Sequence, residues 1–194
     1  TITLQRNYAQ SAAAEKSDSL ILENKYIRYT FNEKAQIIAA YDKEEHMNII
    51  PEGETANSLR LYMDYYSTGN AWDIDVLYEE NEAEIPRPCK KHSSYKGWVR
   101  SYIQFHLQLS ESTLSQCVVL YENSKRLDFI TFVDWHEDRK ILRTYFPVNV
   151  YAREASYDIQ YGFIKRPVHQ NNVHEWAKYE LSCQRYFDLS DNDY

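Results

Sequence analysis

A chain of 194 residues with 43% hydrophobic and 15% aromatic content has enough apolar surface for a packed core, which excludes a disordered segment. The formal net charge of −7 is spread along the chain and argues against a nucleic-acid partner. No apolar run approaches the roughly 18 residues a membrane-crossing helix needs, so no membrane partner is expected.

The first elements are modest. Residues 1–4 read as a short strand, and the polar, alanine-rich residues 10–18 as a connector. Residues 20–31 alternate, with Ile21, Tyr26, Ile27, Tyr29 and Phe31 between charged neighbours, so a strand is expected there. Asn32, Glu33 and Lys34 turn it into 35–41, which makes a hairpin. Residues 42–58 read as loop, 59–63 as a strand and 64–70 as a polar excursion. The stretch 72–79 fits a strand or a bent loop. Residues 79–96 read as a loop within the domain, acidic at first and then proline-rich and basic.

From Gly97 onward the pattern repeats. Residues 99–109, 112–121, 127–136, 140–149 and 156–165 are extended, with short polar turns that predict antiparallel neighbours. A last long strand is expected over 176–187. Short helices fit only at 45–52 and 170–178. Eighteen tyrosines favour strands, and with four glycines the turns must rest on Asn, Asp, Ser and Glu. A dozen one-sided strands must pack sheet on sheet. The fold class is all-β, an antiparallel β-sandwich with few or no helices, and residues 1–194 form one domain.

Cysteine usage points to a compartment. Cys89, Cys117 and Cys183 are odd in number and widely spaced, without a C-x-x-C pair. Zinc held by thiolates is not expected, and buried reduced thiols point to the cytoplasm.

Three places bear candidate chemistry. Arg166, His169 and Asn171 are grouped across a polar corner opened by Pro167 and are expected to act together there. Arginine brings a planar fork of donors, while Asn and neutral His bring donors and acceptors. The corner reads equally as a domain seam at the edge of a sugar pocket or as a local tie between strands, with Glu180 partnering Arg166 or Arg185. Asp64 with Trp72 and Asp73 fits a sugar contact, the ring covering an apolar face and the carboxylates taking hydroxyls. It fits better a tryptophan anchoring a loop onto the core, with the flanking Asp residues capping turns. His169 and His174 beside Glu175 do not make a H-E-x-x-H pattern, so no metal is assigned to them. Asp73 and Asp75 are the pair a self-contained glycosidase would need about 5 Å apart, but they are read as non-catalytic.

The tail carries a resemblance. Gly162, Arg166, Pro167, His169, Asn171, Ala177, Glu180, Asp188, Leu189 and Ser190 stand as in the closing segment of the C-terminal β-domain of glycoside hydrolase family 38, the α-mannosidases. Val168, the run Asn172-Val173-His174, and Gln184 depart from that pattern. Asn70-Ala71-Trp72-Asp73-Ile74-Asp75, preceded by Asp64, is similar to a second motif of the cytosolic and bacterial branch. Residues 22–25 with Ile37 resemble the strand pair that begins the β-domain.

The resemblance implies a galactose-mutarotase-like supersandwich and a chain that is part of a longer multidomain glycosidase. It also implies a retaining mechanism on terminal α-mannosides, with zinc and the nucleophile in an N-terminal catalytic domain. No catalytic, metal or cofactor residue is then expected in this chain. Its partners would be that catalytic domain and mannosides or oligosaccharides. The alternative is a stand-alone carbohydrate-binding or architectural β-sandwich.

Overall fold

The computed structural model describes residues 15–65 and 74–191. In chain order the strands are β1 (Glu15–Ser17), β2 (Ile21–Glu23), β3 (Ile27–Phe31), β4 (Ile37–Asp42), β5 (Met47–Asn48), β6 (Ser58–Met63), β7 (Glu82–Glu84) and β8 (Arg87–Lys96). There follow β9 (Arg100–Leu109), β10 (Ser112–Tyr121), β11 (Leu127–Asp134), β12 (Lys140–Tyr145), β13 (Glu154–Ile159), β14 (Gly162–Pro167) and β15 (Phe187–Asp188). One helical turn, α1 (Val173–Trp176), precedes β15, and a 3-10 turn covers Tyr78–Asn81.

The strands form four antiparallel sheets, ordered β1-β8-β9-β10-β11, β2-β3-β4-β5, β12-β6-β7 and β14-β13-β15. The all-β sandwich expected from the pattern is the architecture found. Strand β9 shows its origin: Ser101, Ile103, Phe105, Leu107 and Leu109 point inward and are buried, while the residues between them are half-exposed. Opposite them, Leu22, Ile27, Phe31 and Ile37 face in from the four-stranded sheet. The rings of Phe31 and Phe105 meet at 5.9 Å. Each such side chain contributes roughly 1.5–3 kcal/mol by leaving water.

Buried polar groups join the sheets. Asn57 donates from Nδ2 to Ala35 O at 2.8 Å and to Gln116 Oε1 at 2.7 Å, which ties the β3–β4 turn to β10. Asp42, fully buried, takes Lys125 Nζ at 2.8 Å and the backbone N–H groups of Glu44 and Glu45. Glu137 caps the β9–β10 turn. Its Oε1 accepts from the N–H groups of Glu111 and Ser112 and from Ser112 Oγ, and its Oε2 from Lys140.

Several boundaries differ from expectation. The run 20–31 is two strands, because Asn24 turns the chain: its Oδ1 accepts from the N–H groups of Tyr26 and Ile27. Its Nδ2 meanwhile reaches Tyr121 O and Ser124 O across the domain. The loop expected over 79–96 holds β7 and β8, whose ladders to β6 and β9 are long-range and invisible locally. Pro88 sits there beside a register shift. The run 156–165 is the β13–β14 hairpin, turned at Tyr161 with φ 67°. Residues 127–136 and 140–149 end as strands at Asp134 and Tyr145. The connector over 10–18 includes β1 at its end, and the strand expected at 1–4 lies outside the described residues. No strand runs over 176–187: α1, irregular chain and the two-residue β15 stand there.

Candidate functional site

The site grows out of the β13–β14 hairpin. Its register places Arg166 opposite Ala155 and Ile164 opposite Tyr157, all on one face. From there the Arg166 guanidinium turns over the Tyr157 ring, 4.9 Å from the centroid, and Nη1 donates to Ser182 O at 2.9 Å. Val168 N–H extends the ladder by one bond to Arg153 O at 3.1 Å. Beyond it the chain bends. Asn172 caps α1, its side chain accepting from Glu175 N–H at 3.0 Å. Glu175 reaches back, with Oε2 3.2 Å from Asn171 N and 3.1 Å from His169 Nδ1.

This bend encloses a cavity of about 240 Å³, lined by Tyr157, Arg166, His169, Glu175, Lys178 and Tyr179 among others. It is smaller than the roughly 300–1,000 Å³ typical of drug-sized ligand pockets, so it suits a small polar group. Arg166, Lys178 and His169 line it with donors, while the Tyr157 ring is already covered by the Arg166 guanidinium and stacked with Phe187. Every residue from Arg166 to Gln170 lines it, so Arg166 and His169, three apart, are brought together by a chain wrapped around the cavity.

The tail that closes the cavity is tied down at residues 179–180 and again at Arg185. Tyr179 Oη donates to Ile74 O, and Glu180 pairs with Arg143 on β12. Glu180 therefore partners neither Arg166 nor Arg185. Arg185 instead pairs with the buried carboxylate of Asp158. The hydrogen bond from Arg185 holds that carboxyl below the usual aspartate range, against burial.

Next to Glu180 lies a tyrosine–arginine cluster on the β12-β6-β7 sheet. Arg143 covers the Tyr78 ring at 5.1 Å and Arg60 the Tyr145 ring at 5.0 Å. Tyr145 Oη lies 2.9 Å from Tyr62 Oη, and Glu79 Oε1 faces both Tyr145 and Tyr78. Burial pushes the phenols of Tyr78 and Tyr145 well above their usual range, so they stay neutral donors.

The sequence candidates divide. Arg166 and His169 share the cavity, and Asn171 adjoins it through its backbone N–H on Glu175. Asp64 stands apart, just after β6. Its N–H donates to Arg139 O at 2.8 Å, and its Oδ1 is buried with no hydrogen-bond partner among the described residues. Trp72 and Asp73, with Asn70 and Ala71, lie outside the described residues. Tyr157, Lys178 and Tyr179 were not singled out by the sequence. The one local signal for this grouping is the N-x-x-E spacing of Asn172 and Glu175, which marks a helix start and so a bend.

Comparisons bear on the whole chain. The model of the glycosyl hydrolases family 38 C-terminal domain matches residues 22–194. The chain is 30% identical over 192 residues to alpha-mannosidase G of Dictyostelium discoideum, covering 94% of this chain and 18% of that protein. It is 32% identical over 182 residues to alpha-mannosidase 2C1 of Mus musculus, covering 93% of this chain and 18% of that protein. The crystal structure of an alpha-mannosidase from Enterococcus faecalis superposes with a TM-score of 0.61 at 13% identity, over 79% of this chain and 20% of that one, which shows a shared fold. The chain spans less than a fifth of the length of these curated relatives.

Proposed function

This chain belongs to the family of glycosyl hydrolases family 38 C-terminal domains, and from that premise we propose that it is the non-catalytic β-domain of a longer retaining α-mannosidase. The observation that carries this reading is the match itself, which runs from Leu22 through the strapped tail to the last residue. The named relatives are α-mannosidases of which the chain corresponds to a small share.

Retaining hydrolysis takes a nucleophilic carboxylate and an acid about 5 Å apart. In this reading both, and the zinc, belong to the catalytic domain outside these residues. Among the described residues no three His, Cys, Asp or Glu side chains gather as a metal site, so those residues offer nothing that fits the ion. Its own residues have a positioning role. Arg166 fixes the tail through Ser182 O while its cavity face, with Lys178 and His169, presents donors suited to sugar hydroxyls or to a seam with the catalytic domain. The proposed partners are that domain and mannosides.

The thiols expected to be buried are not: Cys89 and Cys183 are exposed and Cys117 is partly buried, so a cytoplasmic location is supported only by all three being free. Burial raises the pKa of the Cys117 thiol, which keeps it inert. Among the described residues no helix is long and apolar enough to cross a membrane.

The test is hydrolysis of an activated aryl α-mannoside with added zinc, by residues 1–194 and by the full-length polypeptide side by side. Activity in the full-length polypeptide alone is the expected result. Activity in residues 1–194 overturns the non-catalytic assignment, and activity in neither overturns the mannosidase reading.

A further inference from the structure

We infer that the free edge of β11 is completed by a sixth strand, contributed by the same polypeptide from outside residues 1–194. The inference rests on the reading of this chain as one domain of a longer protein.

The two edges of the five-stranded sheet differ in kind. On one side β1 covers only Ser94–Lys96 of β8, and the remaining edge among the described residues carries Arg87, Pro88, Lys90 and Lys91, with a register against β9 that shifts twice. Proline, lysine and irregular register are the devices by which an edge strand avoids pairing with other chains. On the other side β11 reads Leu127-Asp128-Phe129-Ile130-Thr131-Phe132-Val133-Asp134 and has none of them. It pairs with β10 over eight consecutive residues without a shift, and no strand lies beyond it among the described residues. Every second N–H and C=O of β11 therefore points away from β10 without a ladder partner among the described residues.

The side chains say the same. Phe129 and Val133 turn inward and pack against the core. Ile130 and Phe132, on the opposite face, are 62% and 72% exposed, and Trp135 just past the strand is 40% exposed. A long, regular, largely apolar edge strand is a template on which a further strand pairs. The exposed pair sits at the outermost position of its face, opposite Cys117 and Ser115 of β10, so a strand laid along the edge would flank both residues.

The occupant is argued from length and charge. Relatives extend far beyond the matched region, which is 18% of each, so they hold ample chain to supply a strand. A second copy is a poorer fit. Two β11 strands paired over their full length about a two-fold axis at Thr131 would set Asp128 against Asp134 twice, and each chain already carries a net charge of −7. Like charges directly opposite destabilise a strand pair.

Hydrogen exchange resolved to single amides, on the full-length polypeptide, tests this. The expected result is that all amides of residues 127–134 are protected, including those pointing away from β10, by about 100-fold or more over unstructured chain. If every second amide exchanges as in unstructured chain, the edge is open and the inference fails. If protection appears only as protein concentration rises, the edge belongs to a second copy and the inference also fails. Aryl α-mannoside hydrolysis is read on the same sample. Activity with an open edge sinks the sixth strand alone, while a protected edge without activity sinks the mannosidase reading alone.

Discussion

Arg185 grips Asp158 with two nitrogens, Nε 2.8 Å from Oδ2 and Nη2 3.3 Å from Oδ1. The carboxylate is buried in the middle of β13, while the arginine side chain is 81% exposed on the tail. Around this pair the backbones also join, Gln184 N–H to Asp158 O and Asp158 N–H to Tyr186 O. The pair is what replaces the long strand expected over 176–187: a side-chain stud holds the tail where a ladder was foreseen.

Removing Arg185 leaves Asp158 buried without its cation, which is worse than removing both. The Arg185→Ala variant should melt at a lower temperature and exchange its amides faster over residues 184–188. The double variant with Asp158→Ala should lose no more than the single one. Additive losses in that cycle would show that the two side chains do not act together. Because the pair lowers the Asp158 pKa, its stabilisation is complete above the ordinary aspartate range and fades as pH falls below it.

Glu137 makes a sharper pH prediction. Burial pushes its carboxyl up, but the hydrogen bonds from Lys140, Ser112 and Glu111 N–H, with the Lys140 charge, bring it down to about 2. A folded pKa below the unfolded value of 4.5 means a contribution present above 4.5 and lost as pH falls towards 2. Glu137→Gln should cost about 2 kcal/mol at pH 7 in urea unfolding. The difference between the variant and the parent should shrink between those two pH values. A constant difference down to pH 2 would assign the loss to packing.

Arg166 separates a positioning role in catalysis from a purely structural one. In the full-length polypeptide, Arg166→Ala should lower kcat/KM for an aryl α-mannoside by about tenfold, equal to about 1.4 kcal/mol. The assay is run well below the variant's Tm, so that only folded protein is compared. A lower Tm with unchanged kcat/KM would leave Arg166 as a tie between β14 and Ser182 and nothing more.

Much was legible from residue order because it depends on neighbours. The alternation of Ile103, Phe105, Leu107 and Leu109 marks an inward face, since consecutive strand residues point to opposite sides. The β3–β4 hairpin was read from Asn32, whose Oδ1 indeed accepts from the N–H groups of Lys34 and Gln36. A short turn of this kind closes on itself, so local chemistry suffices to specify it. The tail residues that carry the family resemblance were legible for the same reason, as side chains at fixed spacing.

What residue order left open depends on partners far along the chain. Asn24 breaks a promising strand by accepting from the N–H groups of Tyr26 and Ile27, and its amide is held in place by Tyr121 O and Ser124 O, about a hundred positions away. Strands β7 and β8 stand in an apparent loop because β6 and β9 supply their ladders. The cavity at Arg166 exists because Asn172 and Glu175 bend the chain and Arg143 and Ile74 hold the returning tail. Periodicity and capping are short-range and survive in a string of letters. Pairing between distant strands, and the seats of charged side chains on them, are settled by which surfaces meet when the sheets pack.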